Sequence, residues 1–224
     1  MGKNKLFRFA ENETFENVFQ PDFYQVRDQG FALRGNWRRD FFGNDNPLTL
    51  ELGCGKGEYT VALAKRYPHR NFVGVDIKGA RFWRGAKTAL DEGIKNVAFL
   101  RTRIDQIPGF FSTEDAVNEI WVTFPDPQPR ESKIKKRLTG RQMVERYRSF
   151  LLPSGSINLK SDDDMFYEFT LQTVQENNWQ LLDSCPDVYG MRPNDELLCG
   201  IQTFYERMWL DMGKKIKYVQ FRPF

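Results

Sequence analysis

A chain of 224 residues, 40% hydrophobic and with a formal net charge of +3, has the length and apolar content for one domain around one core. No run reaches the roughly 20 apolar residues of a membrane span, and the polar, basic N-terminus has no apolar h-region, so the expected compartment is the reducing cytoplasm. Cys54, Cys185 and Cys199 are odd in number and far apart, which argues against a disulfide framework and against zinc, and the lone His69 weakens any Ser-His or Cys-His hydrolase.

Residues 1–46 are rich in rings (Phe7, Phe9, Phe15, Phe19, Phe23, Tyr24, Phe31, Trp37, Phe41, Phe42) and in Arg and Lys, without clear periodicity. They read as a basic, aromatic N-terminal arm that lays some rings on the core and is partly disordered at its start. The same composition suits contact with nucleic acid. From residue 47 to residue 224, strands and helices alternate. Leu48–Leu52 is a buried strand, Gly57–Tyr67 a helix stopped by Pro68, and Asn71–Asp76 a second strand. A helix from about Gly79 to Glu92 follows, then a strand over Val97–Thr102 and another over Glu119–Phe124, cut off by Pro125. Leu138–Leu151 is expected to be helical, Gly155–Lys160 a strand, and Asp162–Asn177 a helix with Asp162 as its N-cap. Trp179–Ser184 and Ile201–Trp209 close the chain as strands. Such alternation predicts a doubly wound α/β domain with a mostly parallel sheet and an antiparallel C-terminal strand. Ligands of such sheets bind beyond the carboxyl ends of the strands.

At the first of these ends lies Glu51-Leu52-Gly53-Cys54-Gly55-Lys56-Gly57-Glu58. Its glycines allow a tight turn and a close backbone approach to a ligand. Asp76 ends the next strand about 20 residues later, where a carboxylate can accept both hydroxyls of a ribose. The third glycine comes one position early for the dinucleotide pattern, and Glu58 at the helix mouth suits a pyrophosphate poorly. Glu51 instead suits a cofactor carrying an ammonium and a sulfonium. The run resembles motif I of the Rossmann-like class I S-adenosylmethionine methyltransferases.

The fourth strand ends in Thr123-Phe124-Pro125-Asp126-Pro127-Gln128-Pro129-Arg130. Its prolines make a stiff turn that aims Asp126 into the crevice. Adjacent prolines, as in Asp-Pro-Pro-Tyr, are missing, which disfavours amino-methylating enzymes. A basic run follows: Arg130, Lys133, Lys135, Lys136, Arg137, Arg141, Arg146 and Arg148 against Glu131 and Glu145. Beside the strand-end crevice, it can grip the phosphates of a polynucleotide.

The Phe-Pro-Asp-Pro turn with its basic tail, and Thr203-Phe204-Tyr205-Glu206 followed by Gly213, Ile216 and Phe221, resemble the bacterial tRNA (guanine-N7-)-methyltransferases from about Leu48 to the C-terminus. The resemblance implies transfer of a methyl group from S-adenosylmethionine to N7 of a guanine in the variable loop of tRNA. It implies tRNA as partner and no metal, with monomer and homodimer both open. It assigns Glu51, Gly53, Gly55, Asp76, Ile77, Arg103, Ile104 and Asp126 to the cofactor, and Asp126 also to catalysis. Arg130, Lys133, Lys135, Lys136, Arg137, Asp162, Thr203 and Glu206 fall to the substrate. Two positions depart from the family pattern. Gln128 stands where Trp or His is usual. Arg103 stands where an Asp or Asn meets the adenine, and a guanidinium cannot accept from an adenine amino group. Adenine recognition then shifts to Asp105 or to backbone near Ile104.

Guanine N7 carries a free lone pair and no proton, so positioning and electrostatics suffice without a base. Asp126 and Glu206 are the candidates to accept the guanine N1–H and N2–H, and Thr203 can add a hydrogen bond. The alternatives are a methyltransferase for another RNA, a protein or a small molecule, and a non-catalytic RNA-binding protein with this fold. The basic run opposes a protein or small-molecule substrate, and the intact acids and glycines oppose a non-catalytic role.

Overall fold

The computed structural model describes residues 3–224. Helix α1 (Lys3–Asn12), the two-residue strand β1 (Val18–Phe19), α2 (Phe23–Gln29) and a π-helical turn (Trp37–Phe42) precede the alternating body. The body runs β2 (Leu48–Leu52), α3 (Glu58–Arg66), β3 (Asn71–Asp76), α4 (Gly79–Asp91), β4 (Val97–Arg101), β5 (Val117–Thr123), α5 (Arg141–Tyr147), β6 (Leu151–Ser161), α6 (Asp164–Glu176), β7 (Gln180–Cys185), α7 (Val188–Met191), α8 (Phe204–Asp211) and β8 (Lys217–Arg222). The sheet order is β1-β4-β3-β2-β5-β6-β8-β7. All pairs are parallel except those of β8, which runs antiparallel to β6 and β7. This is the expected doubly wound sheet with an antiparallel C-terminal strand.

Continuous apolar strands follow from helices covering both faces. Every residue of β2 is buried. One apolar layer gathers Leu50, Phe111, Val144 and Phe150, and the other Tyr59, Phe82, Phe99 and Trp121. Helix α4 buries Phe82, Gly85, Ala86 and Ala89, the three-and-four spacing of an apolar stripe. Gly85 lets α4 close on the Gly-rich turn, since a Cβ there would lie 2.8 Å from the Lys56 carbonyl oxygen.

Phe15, Phe19, Phe31, Trp37, Phe41 and Phe42 pack onto this body, while Phe23 and Tyr24 stay exposed. Val18 and Phe19 pair with Phe99 and Leu100, adding β1 to the sheet edge. Trp37 is fully buried, donates Nε1–H to the Phe110 carbonyl at 2.9 Å, and meets Phe19 edge-on. The two residues at the very start of the arm lie outside the described residues.

Three expectations about elements are corrected. Ile201–Trp209 is not a strand. Thr203 caps a helix there, accepting the Glu206 N–H at 3.2 Å, and the closing strand is β8. Helix α5 is shorter than Leu138–Leu151, because β6 begins at Leu151. Asp163, not Asp162, caps α6, its carboxylate accepting the Phe166 N–H at 2.7 Å.

Candidate active site

The carboxyl ends of β2, β3 and β5 open on one cavity of about 610 Å³. That is the size range of cofactor pockets. Glu51, Gly53, Gly55, Asp76, Ile77, Arg103, Ile104 and Asp126 all line it, as do Lys135, Lys136 and Thr203.

Glu51 ends its strand nearly fully buried. The Thr60 N–H and hydroxyl donate to one carboxylate oxygen, and the Thr123 hydroxyl donates to the other. Burial pushes its pKa up to about 7 against those donors, with the charge of Asp76 adding to the rise. Asp76 accepts the Gly55 N–H at 3.0 Å on one oxygen and the Lys78 N–H at 2.8 Å on the other. Each Asp76 oxygen keeps a lone pair for a further donor. The turn is tied to β3 because Gly53 and Cys54 both donate to the Val75 carbonyl, at 2.7 and 3.1 Å. Gly53 has φ +80°, a conformation that favours glycine.

The Phe-Pro-Asp-Pro turn stores backbone strain. Phe124 (φ 47°) and Gln128 (φ 50°) are both left-handed and bracket Asp126. The Phe124 N–H donates to the Lys160 carbonyl at 2.8 Å, and the Gln128 N–H to the Asp126 carboxylate at 3.1 Å. Asp126 is exposed on the cavity rim.

The expected RNA-contacting run divides. Arg130, Lys133, Lys135 and Lys136 are exposed around the short turn Glu131–Lys136. Arg137 turns inward instead: its guanidinium donates to the Gln128 carbonyl at 3.2 Å and lies 4.4 Å from the centre of the Phe169 ring. It braces the proline turn, which removes it from a free phosphate contact.

Arg103 pairs with Asp105 at 2.6 Å, and that bond holds the Asp105 carboxyl below its ordinary range. Arg103 therefore answers Asp105 rather than presenting an acceptor.

The other substrate candidates do not converge. Glu206 is fully buried and ion-paired with Lys160, and it accepts the Tyr189 hydroxyl at 2.9 Å. It is absent from the cavity wall, while its neighbours Thr203 and Tyr205 are on it. Asp162 lies in a separate cleft and pairs with Lys214 at 2.6 Å. Thr60, Thr123, Lys160 and Tyr189 escape a linear reading. Lys160 alone leaves a trace, as a charge inside a buried strand that demands a partner. Among the described residues no group of three His, Cys, Asp or Glu side chains can hold a metal ion.

The cavity fits S-adenosylmethionine: a buried carboxylate with no cation of its own for the ammonium, and a strand-end carboxylate with free lone pairs for the ribose. Solved structures share the fold. The 16S rRNA methyltransferase KamB superposes with a TM-score of 0.62 at 17% identity, over 91% of this chain and 94% of that one. The 16S rRNA (adenine(1408)-N(1))-methyltransferase from Catenulisporales acidiphilia gives 0.60 at 14% identity, over 86% and 94%. Fold and cavity together define a class I S-adenosylmethionine-dependent methyltransferase. A family model described as "Putative methyltransferase" matches residues 45–219. The chain is 50% identical to the tRNA (guanine-N(7)-)-methyltransferase of Christiangramia forsetii over 98% of both chains. It is 48% identical to that of Bacteroides fragilis, over 99% of this chain and 86% of the relative. The chain belongs to the tRNA (guanine-N(7)-)-methyltransferase family.

Proposed function

We propose that this enzyme methylates N7 of a guanine in the variable loop of tRNA. The observation that carries it is the cavity itself: Glu51 and Asp76 line it, Asp126 stands on its rim, and exposed Lys135 and Lys136 line it too. When bound, S-adenosylmethionine supplies a methyl group activated by its sulfonium.

Asp76 accepts from the ribose hydroxyls and ionised Glu51 faces the ammonium. The backbone near Ile104 and the Asp105 carboxylate receive the adenine amino group, with Arg103 fixing Asp105. Asp126 accepts N1–H and N2–H of the target guanine, orients N7, and stabilises the positive charge that grows on the ring. Because N7 has no proton to lose, no base is needed. Arg130, Lys133, Lys135 and Lys136 hold tRNA phosphates. Thr203 contacts the substrate from the cavity wall, and Glu206 acts behind it by fixing the start of α8.

No helix among the described residues is long and apolar enough to cross a membrane. Action on tRNA places the enzyme in the cytoplasm, as a monomer or a homodimer. The test is to incubate an unmodified tRNA transcript with methyl-labelled cofactor and map the product. Label on a variable-loop guanine is expected; label elsewhere, or none, overturns the proposal.

A further inference from the structure

The cavity has a second basic rim on the first turns of α4, against which α1 packs. Lys78 stands at the N-cap of α4, and Arg81 and Arg84 follow at three-residue spacing, so cations neighbour one another along its first turns. All three are exposed, and Lys78 and Arg81 line the cavity. None of them has a carboxylate partner among the described residues, whereas Lys87, further along the same helix, is answered by Glu11 and Asp91 at 3.9 and 3.7 Å. Carboxylates are thus within reach of this face but gather at its far end. Near the cavity the cations stand together and repel one another.

Trp83 gathers one of them, Arg84, together with Arg8 of α1. The Arg8 guanidinium of α1 lies 4.8 Å from its ring centre and that of Arg84 lies 5.6 Å away. The indole is itself fixed, donating Nε1–H to Glu11 at 2.6 Å. Guanidinium groups ordered on an aromatic face, with no hydrogen-bond acceptor for their N–H groups among the described residues, are arranged for phosphate oxygens.

We propose that the α1–α4 face is a second RNA-binding wall, so that tRNA spans the cavity mouth with phosphates on Arg8, Arg81 and Arg84 on one side and on Lys133–Lys136 on the other. This rests on tRNA being the substrate. It explains why cations with no ion-pair partner among the described residues gather beside a cavity that already carries a basic rim.

The test uses the full chain with the double variant Arg8→Glu/Arg84→Glu, neither residue lining the cofactor cavity. Binding of a tRNA transcript is measured across a salt series, with S-adenosylhomocysteine titrated by calorimetry. The expected result is a tRNA Kd raised at least about tenfold and a salt slope reduced by about two units, one per lost phosphate contact. S-adenosylhomocysteine affinity should stay within about twofold. If charge reversal disturbs the packing of α1 on α4, Arg84→Gln alone should still lower the slope by about one unit. Lys133→Glu/Lys135→Glu is the control for the substrate itself. Loss of tRNA binding in that control but not in the Arg8 and Arg84 variants overturns the second wall and leaves the tRNA assignment intact. Absence of tRNA binding by the unaltered protein overturns both.

Discussion

Lys160 of β6 and Glu206 of α8 form an ion pair at 2.6 Å with both side chains fully buried. The pair is reinforced: Lys160 also donates to the Ile201 carbonyl at 3.2 Å, and Tyr189 donates to Glu206. Burial pulls the Lys160 pKa down and pushes that of Glu206 up, each opposed by the partner's charge. The pair pins the first turn of α8 to the sheet, which keeps Thr203 and Tyr205 on the cavity wall. Removing one partner leaves an uncompensated buried charge. Lys160→Met is therefore expected to cost about 3–5 kcal/mol in urea unfolding. Lys160→Met/Glu206→Leu should recover much of that loss, because it removes both charges. A double variant no more stable than the single one would show that the pair is not the anchor.

If Glu51 faces the cofactor ammonium as proposed, cofactor binding depends on pH. Its folded pKa of about 7 belongs to the free protein, and only the ionised carboxylate attracts the ammonium. S-adenosylhomocysteine affinity should rise with pH and level off above about 7, falling by up to about tenfold per unit below it. Stability runs the other way. Because the folded pKa lies above the unfolded value, this group's contribution is present below about pH 4.5 and is lost as pH rises through 7. Calorimetric titrations at pH 6, 7 and 8 check the first point. Glu51→Gln should bind weakly at all three with no slope, and a persistent slope would move the titration to another group.

Arg137 and its neighbours should separate cleanly. Arg137→Ala removes donors from the proline turn and the contact with Phe169. It should cost about 1.5–3 kcal/mol of stability, the range for hydrogen bonds from a charged group, and slow methyl transfer with little change in the salt dependence of tRNA binding. Lys133→Ala should do the reverse: stability unchanged and the salt slope reduced by about one unit. Equal slopes for the two variants would return Arg137 to the RNA surface.

Asp126→Asn keeps the shape of the turn but, on the proposed role of Asp126, replaces the acceptor of the guanine edge. The expected loss in kcat is about 100-fold or more, the usual size of one transition-state contact. S-adenosylhomocysteine affinity should change little, since Glu51 and Asp76 remain. Turnover near that of the unaltered enzyme would shift the role to another group on the cavity wall, with Thr203 the first to examine.

That Glu51, Gly53, Gly55 and Asp76 line one cavity is legible in the linear chain because the logic is local. Glu51 and Asp76 sit at strand ends, and strand ends define where a doubly wound sheet binds ligands. Of the glycines between them, Gly53 and Gly55 line the cavity, while Gly57 and Gly74 make room for the Phe99 ring. The substrate half is harder to read for two physical reasons. Charge counts do not say which cation faces solvent, so Arg137 looks like its exposed neighbours although it is buried against Phe169. The aromatic run Phe204-Tyr205 has the composition of a strand, yet Thr203 three residues before Glu206 is the pattern of a helix start. Here the capping residue decides, and both rings stay partly exposed. The link from Glu206 to Lys160 spans 46 residues of sequence and exists only once α8 has docked on β6.

The most direct measurement replaces the guanine of the tRNA variable loop by 7-deazaguanine, which keeps the Watson–Crick edge but has carbon in place of N7. With methyl-labelled S-adenosylmethionine, the unsubstituted transcript should take up one methyl group at that guanine, while the substituted one should bind with similar affinity and take up none. Equal labelling of the two transcripts would contradict N7 as the atom methylated.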